Sequence, residues 1–186
     1  MVTFLLNNKR ESDVLTKVHN FKDSLKVGEM GEEKILDYLQ QSLTVDRIMD
    51  VRGDEHYRDV DVDLVVKMTS GEELKIEIKT DTYRSGNMYY ETLSAEETGS
   101  LGGFEKTEAD YMFYYFINLN TLYILDMNKY RQWFKQKQEM FDFLGYQKKV
   151  KNARWKTGTY TSVGYAFPVS TLENDHPKWM RKVYIK

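Results

Sequence analysis

The sequence predicts a single α/β domain over residues 1–186, in which helices flank a mixed central β-sheet. Three observations favour this class. Apolar side chains recur at helical spacing near both ends of the chain, residues 60–80 alternate between apolar and polar side chains, and residues 111–117 form an almost unbroken apolar run. The length of 186 residues suits one domain, and no low-complexity linker divides it.

Two helical segments are predicted ahead of the sheet. Apolar residues fall at helical spacing over residues 13–25 and again over residues 29–42. The apolar face of the second segment consists of Ile35, Leu36 and Leu39. Gly28 and Gly31 are expected to weaken its first turn, because glycine has a poor helix propensity.

Five segments follow that carry strand or loop signals. Residues 44–52 are a predicted strand, and residues 60–68 and 73–80 are two further strands with clean period-two alternation. Residues 89–91 indicate another strand. Residues 98–108 are rich in glycine and serine and are predicted to form a loop.

The remaining elements are read from apolar runs and one amphipathic stretch. Residues 111–117 are expected to be a central strand that is buried on both faces. Residues 121–126 should pair with it as a hairpin, residues 127–144 should form an amphipathic helix, and residues 163–170 should add one short strand.

The composition excludes several classes of function. The chain has no cysteine, which rules out disulfides, thiolate metal sites and cysteine nucleophiles. It contains no apolar run long enough to span a membrane, no long apolar region typical of a signal peptide, and no phosphate-binding loop motif for nucleoside triphosphates. A cytoplasmic location is therefore expected.

Charge is distributed unevenly along the chain. Residues 145–186 hold nine lysines and arginines against two acids, a balance of +7, although the whole chain has a net charge of −2. We therefore divide the domain into a catalytic core at about 28–126 and a basic C-terminal part at about 145–186. The expected nucleic-acid contacts are Lys148, Lys149, Lys151, Arg154, Trp155 and Lys156. A solvated basic loop is the alternative interpretation of this stretch.

The residues that could carry out catalysis or bind a metal lie on the two alternating strands. Because alternate side chains of a strand share a face, Glu77 and Lys79 project away from their apolar neighbours. Asp61 and Asp63 do the same on the preceding strand. An E-x-K sequence alone is common in solvated strands, so the interpretation depends on how these two strands pair.

The turn between the strands sets that pairing. A three-residue turn, Thr69-Ser70-Gly71, pairs Met68 with Glu72 and supplies glycine where such loops need a left-handed residue. The same register places Asp63 opposite Glu77. Directly opposed residues have β-carbons roughly 5 Å apart, so two carboxylates here repel each other unless a proton or a cation lies between them.

A hard divalent cation with oxygen ligands would relieve this repulsion and could activate water for attack on a phosphate. Lys79 follows Glu77 by two residues, and the register sets it opposite Asp61. Its ammonium group could orient or deprotonate the attacking water and offset negative charge. A calcium-binding loop starting at Asp59 is excluded, because Leu64 and Ser70 stand where glycine and glutamate are required.

This pattern, Asp63 followed by Glu77-Ile78-Lys79, resembles the signature of the PD-(D/E)XK nuclease superfamily. The resemblance covers about residues 28–82, and Val62 departs from it where the family name has proline. Several short stretches also look similar to small phage or mobile-element members: Thr80-Asp81, Gly86-Asn87, Glu91 and Lys106-Thr107-Glu108-Ala109-Asp110. The resemblance implies a restriction-endonuclease-like fold and hydrolysis of DNA phosphodiester bonds.

The resemblance also implies roles for individual residues. Asp63, Glu77 and the Ile78 carbonyl would bind Mg²⁺ or Mn²⁺, and Lys79 would act on the water. Glu32, on the inward face of the preceding helix, would serve as a further catalytic acid and metal ligand. An ordinary first-turn acid favoured by the helix dipole is the alternative for Glu32.

Two other functions remain open at this stage. The chain could be a catalytically inactive nuclease-like module that binds nucleic acid or a protein, or it could be a nuclease directed at RNA. DNA is the expected partner, and a homodimer is expected because one site cuts one strand.

Overall fold

A six-stranded mixed sheet forms the centre of the molecule. The structure, a computed structural model, describes residues 21–153, 158–175 and 177–185. The helices are Phe21–Gln40 (α1), Glu55–Asp59 (α2), Gly103–Lys106 (α3), Met127–Phe143 (α4) and Val169–Asn174 (α5). The strands are Val45–Asp50 (β1), Leu64–Met68 (β2), Glu73–Asp81 (β3), Asn87–Ala95 (β4), Ser100–Leu101 (β5), Tyr111–Phe116 (β6), Thr121–Asp126 (β7), Gln147–Ala153 (β8), Thr159–Pro168 (β9) and Met180–Tyr184 (β10).

The central sheet has the strand order β1-β2-β3-β6-β7-β10. The β3–β6 pair is parallel, and the other neighbours are antiparallel, so the predicted mixed sheet is confirmed. Strand β6 lies inside the sheet and is almost wholly buried, as its apolar sequence indicates. Its hairpin with β7 is also confirmed.

The two faces of the central sheet pack against different elements. Ile76 and Ile78 of β3 pack with Ile35 and Leu39 of α1 in one core cluster. The opposite face carries Met112, Tyr114 and Phe116 of β6, which pack against α4 and a second sheet in a larger cluster. Glu77 and Lys79 alternate with the isoleucines and therefore belong to the second face.

The second sheet has the order β5-β4-β9-β8 and is antiparallel throughout. The sequence pattern predicted the strands of this sheet only in part. Strand β4 is far longer than residues 89–91, and the predicted loop at 98–108 contains β5 and α3. The short strand predicted at 163–170 is a longer one that ends at Pro168, after which α5 begins.

Helix α1 approaches the sheet closely at Gly31. The helix runs continuously from Phe21, so Gly28 and Gly31 lie in its interior rather than near its first turn. A β-carbon added at Gly31 would overlap the Thr80 side chain on β3. Of the helix predicted at 13–25, residues 13–20 lie outside the described residues.

Helix α2 was not predicted, and it changes the course of the chain before β2. Asp54 caps it by accepting a hydrogen bond from the His56 N–H at 2.9 Å. The helix takes up residues just ahead of the predicted strand at 60–68, so regular strand structure begins only at Leu64. Among the described helices, none combines the length and apolar character needed to cross a membrane.

Candidate active site

The site forms where β2 and β3 separate. Regular pairing between these strands matches the predicted register and extends from Lys67↔Glu73 to Leu64↔Ile76. At Asp63 the backbone N–H still bonds to the Ile76 carbonyl at 2.9 Å, one residue out of that register. The chain then leaves the sheet, and the Asp63 carboxylate accepts a hydrogen bond from the Ile78 N–H at 2.7 Å. A side chain thus fills the place where the next backbone bond would lie.

Ile78 directs a second backbone group into the same gap. In an antiparallel ladder the N–H and C=O of one residue point toward the same neighbouring strand. Since the Ile78 N–H is aimed at Asp63, the Ile78 carbonyl also faces the space that β2 has left. This is the backbone oxygen that the resemblance assigned to a metal.

The Asp63 carboxylate reaches the Ile78 N–H, so Asp63 and Glu77 lie near each other where the β2–β3 pairing ends. Burial raises the pKa of Glu77 well above its usual range, and the charges of Asp63 and Asp61 raise it further. Burial also raises the pKa of Asp63, although the hydrogen bond from Ile78 opposes this. Without a cation, the pair therefore tends to retain a proton, chiefly on Glu77.

Asp61 does not lie opposite Lys79, so that part of the predicted register is wrong. The residue follows α2 with a left-handed φ of 47°, which turns the chain out of the sheet. Its carboxylate pairs with Lys106 Nζ of α3 at 3.0 Å, and its carbonyl accepts a hydrogen bond from Thr107 Oγ1 at 2.6 Å. Asp61 lies near Asp63 and Glu77, here called the acid pair, and its negative charge raises the pKa of both.

Lys79 lies beside Glu77 on the same face of β3. Its positive charge lowers the pKa of Glu77 against the larger effect of burial. Burial raises the pKa of Asp81, the next residue on that face, and the charge of Lys79 opposes this rise. Lys79 is thus flanked by two carboxylates of its own strand.

Glu32 is near this end of the sheet but is engaged elsewhere. Its carboxylate forms an ion pair with Arg52, which also pairs with Asp50. Over residues 21–153, 158–175 and 177–185, no group of three or more histidine, aspartate or glutamate side chains is arranged to hold a metal ion. The predicted participation of Glu32 as a ligand of the same ion is therefore not seen in this structure.

Arg52 is a site residue that the sequence analysis missed. Its positive charge lowers the pKa of Asp63, so it lies within electrostatic reach of the acid pair. A cleft of about 730 Å³ lies between α1 and the end of β1, and its lining includes Glu29, Glu32 and Arg52. No local pattern indicates this role, because the contact joins two elements that are distant in sequence.

Glu91 lies on the far side of the same region. It is half-buried on β4, and its carboxylate accepts a hydrogen bond from the Gly103 N–H at 3.4 Å. A β-carbon built at Gly103 would in turn lie 3.9 Å from an oxygen of Asp61. The short helix α3 therefore connects β4 with the acid-bearing turn.

The basic residues of β8 do not form one surface. Lys148 of β8 pairs with Gly164 of β9, and Gly164 pairs with Glu91 of β4. Because paired residues project to the same side, Lys148 and Glu91 share a face of the second sheet. Lys149 and Lys151 alternate to the other face, where Lys149 forms an ion pair with Glu96. The other three predicted nucleic-acid contacts, Arg154, Trp155 and Lys156, lie outside the described residues.

Comparisons with protein-family models, curated proteins and solved structures gave no match. The chemical interpretation therefore depends on the geometry alone. Two half-buried carboxylates close to each other, a backbone carbonyl on the same side of β3 and a lysine on the same face form an oxygen-rich, partly charged site. Such a set suits binding of a divalent cation beside an anionic substrate.

Proposed function

We propose that this chain is a metal-dependent endodeoxyribonuclease with a restriction-endonuclease-like fold that hydrolyses DNA phosphodiester bonds. One observation carries the proposal: the Asp63 carboxylate accepts a hydrogen bond from the Ile78 N–H, next to Glu77, at the point where the strands separate, and its charge raises the pKa of Glu77. Two neighbouring carboxylates repel each other, so the pair would lower the stability of a sheet that had only a structural role. Their presence beside Lys79 favours a site that receives a cation and a phosphate.

The oxygen donors fit Mg²⁺ or Mn²⁺. Mg²⁺ is commonly held by one or two carboxylates while it keeps several of its waters, so a third acid is not required. Asp63, Glu77 and the Ile78 carbonyl would hold the ion. When bound, such a cation supplies Lewis-acid polarisation and lowers the pKa of water at neutral pH.

The protein's own groups would contribute in three ways. Asp63 is fixed by the Ile78 N–H, which keeps one carboxylate oriented before the substrate arrives. Lys79 would place an ammonium group next to the phosphate and stabilise charge that develops on its oxygens. Burial of Glu77 reduces the access of bulk water to the reacting atoms.

The substrate would enter along the face that carries Glu91 and Lys148. We expect Lys148 to contribute to phosphate binding, because it shares a face of the second sheet with Glu91. Lys149 points to the other face and is paired with Glu96, so its contribution should be smaller. A homodimer would present two such sites to the two strands of a duplex.

Cleavage assays on purified protein test the proposal. Supercoiled plasmid, short duplexes, single strands and RNA are incubated with Mg²⁺, Mn²⁺ or EDTA. We expect DNA cleavage with either metal and none with EDTA. Glu77→Ala and Lys79→Ala should each reduce cleavage by a factor of about 100 or more, since each removes a group that acts on the transition state.

Two matched variants control for charge removal and for contaminating nuclease. Glu73→Gln changes an exposed acid on the same face of β3, and Lys135→Ala changes an exposed lysine of α4. Both should cut like the wild type. Equal cleavage by wild type, Glu77→Ala and Lys79→Ala would assign the activity to a contaminant and reject the proposal. Cleavage of RNA alone would redirect it to an RNA nuclease, and binding without cleavage would indicate an inactive module.

A further inference from the structure

The end of α3 is fastened to the turn that carries Asp61. The Lys106 ammonium group donates a hydrogen bond to the Asp61 carboxylate at 3.0 Å, within an ion pair. Thr107 Oγ1 donates to the Asp61 carbonyl at 2.6 Å. The Glu108 N–H donates to the Val60 carbonyl at 2.9 Å. Three consecutive residues thus bind one turn, which fixes the backbone position of Lys106.

Helix α3 lies on the face of the central sheet that carries Glu77. Phe104 of α3 is buried in the larger core cluster together with Met112 of β6. Met112 pairs directly with Glu77 of β3, and paired residues of neighbouring strands project to the same side. The helix and the Glu77 side chain are therefore on one side of the sheet.

Asp61 connects α3 to the acid pair. It precedes Asp63 by two residues, so their α-carbons lie no more than about 7 Å apart. The Asp63 carboxylate is fixed in turn by the Ile78 N–H at 2.7 Å. Because Lys106 is bound to Asp61, its ammonium group lies at the border of the candidate site.

The Lys106 ammonium group can accept a second partner. An ammonium group has three N–H donors, and the ion pair with Asp61 needs only one of them. The Lys106 side chain is 42% exposed, so a ligand can approach it from solvent. Lysine is a common phosphate ligand and acts there as a point charge. A tethered lysine that is open to solvent therefore suits the backbone of a nucleic acid.

We propose that Lys106 is a substrate-binding residue that contacts the DNA backbone next to the scissile phosphate, with Asp61 as its tether. This inference rests on the proposed nuclease function. It adds a contact from α3, in a segment that the sequence pattern predicted to be a loop. Lys106 would hold the strand equally before and during the reaction, whereas Lys79 would act on the charge that develops at the scissile phosphate.

The salt dependence of DNA binding tests the contact. Binding of a short fluorescent duplex is measured by anisotropy in Ca²⁺ at several KCl concentrations, and the duplex is then checked for cleavage. Loss of one phosphate contact lowers the slope of log Kd against log[KCl] by about 0.9. We expect this change in Lys106→Gln, with roughly 5–10-fold weaker binding at about 0.1 M KCl.

Two further variants control for charge and for folding. Lys106→Arg keeps the positive charge and should restore most of the salt slope. Lys135→Gln removes an exposed lysine of α4 and should bind like the wild type. An unchanged slope and Kd in Lys106→Gln would overturn the inference.

Steady-state kinetics separate the role of Lys106 from that of Lys79. A contact made equally in the ground state and the transition state affects KM and leaves kcat unchanged. Lys106→Gln should therefore raise KM by the same roughly 5–10-fold with little change in kcat, whereas Lys79→Ala should lower kcat. A fall in kcat at constant KM in Lys106→Gln would overturn the binding role.

Chemical labelling locates the contact without cleavage. Acetylation of Lys106 is followed by mass spectrometry with and without duplex in Ca²⁺, with Lys135 as the internal reference. A bound phosphate shields the ammonium group, so the duplex should slow labelling at Lys106 and leave Lys135 unchanged. In free protein, Asp61→Asn breaks the tether, so Lys106 should be labelled faster than in wild type.

The outcomes distinguish this inference from the proposed function. Cleavage by wild type, with no protection of Lys106 and no change of salt slope in Lys106→Gln, would overturn the inference alone. Duplex binding through Lys106 without cleavage in any metal would reject the nuclease function and support the phosphate contact. A wild type that binds neither duplex nor single strands would overturn both.

Discussion

At the scale of single residues, the effect of the acid pair on the free energy of unfolding depends on whether a cation is bound. Because burial and Asp63 raise the pKa of Glu77, the folded protein keeps a proton that the unfolded chain has already released. Between the unfolded pKa and the raised folded pKa, the folded state therefore binds more protons than the unfolded state. The free energy of unfolding must fall as pH rises through this window.

This leads to a pH-dependent prediction for Glu77→Gln. In EDTA, the variant should be more stable than wild type at pH 8, where folding of wild type must either protonate Glu77 or place two charged acids together, and the difference should shrink toward pH 4. Thermal unfolding across this pH range measures the effect. Glu73→Gln, which changes an exposed acid, should show no such trend. A wild type that is at least as stable as Glu77→Gln at pH 8 would contradict the pairing described here.

Added Mn²⁺ should reverse this order. A ligand that binds only the folded state stabilises it by about 2.7 kcal/mol at 100 times its Kd. For a chain of this size, each kcal/mol raises Tm by roughly 2–4 °C. Wild type should gain this increase at pH 8, and Glu77→Gln should gain little, because it has lost a charged ligand.

The residues of the acid pair could be predicted because a hairpin register follows from local sequence. The turn Thr69-Ser70-Gly71 and the alternation of β2 and β3 were enough to bring Asp63 near Glu77. Arg52 and its pairing with Glu32 could not be predicted in this way. That contact depends on how closely α1 approaches the end of β1, which no short pattern encodes.

At the scale of elements, the position of α1 on the sheet depends on Gly31. The helix backbone passes so close to Thr80 that a side chain at Gly31 would overlap it. Thr80 directly follows Lys79, so any outward shift of α1 would also move Glu32 relative to the candidate site. The glycine that weakens the helix locally thus permits a close contact with β3, the strand that carries Glu77 and Lys79.

Two glycine substitutions in the same helix should have opposite effects. Gly31→Ala should destabilise the protein by about 1–3 kcal/mol, the usual cost of overpacking. At Gly28 the nearest atom to an added β-carbon is a Glu32 oxygen at 3.9 Å, so Gly28→Ala should stabilise by up to about 1 kcal/mol through helix propensity. Urea unfolding of both variants measures this difference. Equal effects at the two positions would show that α1 is not seated as described.

Element prediction succeeded where one periodicity dominated and failed where two features competed. Strands β3, β6 and β7 and helix α4 lie within about a residue or two of the predicted limits, because their apolar patterns are long and regular. The segment at 60–68 was assigned too long, since α2 and the left-handed Asp61 end the alternation before Leu64. Strand β4 was underestimated because its partner β9 lies far along the chain.

At the scale of the whole molecule, the two sheets are joined by an aromatic core. Phe134 of α4 stacks on Tyr90 of β4 with ring centroids 3.7 Å apart and an interplanar angle of 1°. Both rings are buried in the cluster that also contains Met112 and Phe116 of the central sheet. The helix therefore packs against both sheets at once, which makes their stability interdependent.

Truncation of that contact should weaken both sheets together. Phe134→Ala should cost about 3–5 kcal/mol, in the range for large-to-small changes in a core. Phe143→Ala, on the same helix but 90% exposed, should change stability by no more than about 0.5 kcal/mol. Urea unfolding followed by far-UV circular dichroism and by tryptophan fluorescence should give coincident curves. Separate transitions for the two probes would show that the sheets unfold independently.

The order of the strands along the chain has a consequence for synthesis on the ribosome. The hairpin that carries the acid pair can close as soon as β3 has emerged, since β2 and β3 are neighbours in sequence. Strand β4 has to wait for β9 near the C-terminus before its main partner exists. A nascent chain that stops before β9 would therefore expose an unpaired, tyrosine-bearing edge, which is the kind of surface that chaperones cover and that drives aggregation when they do not.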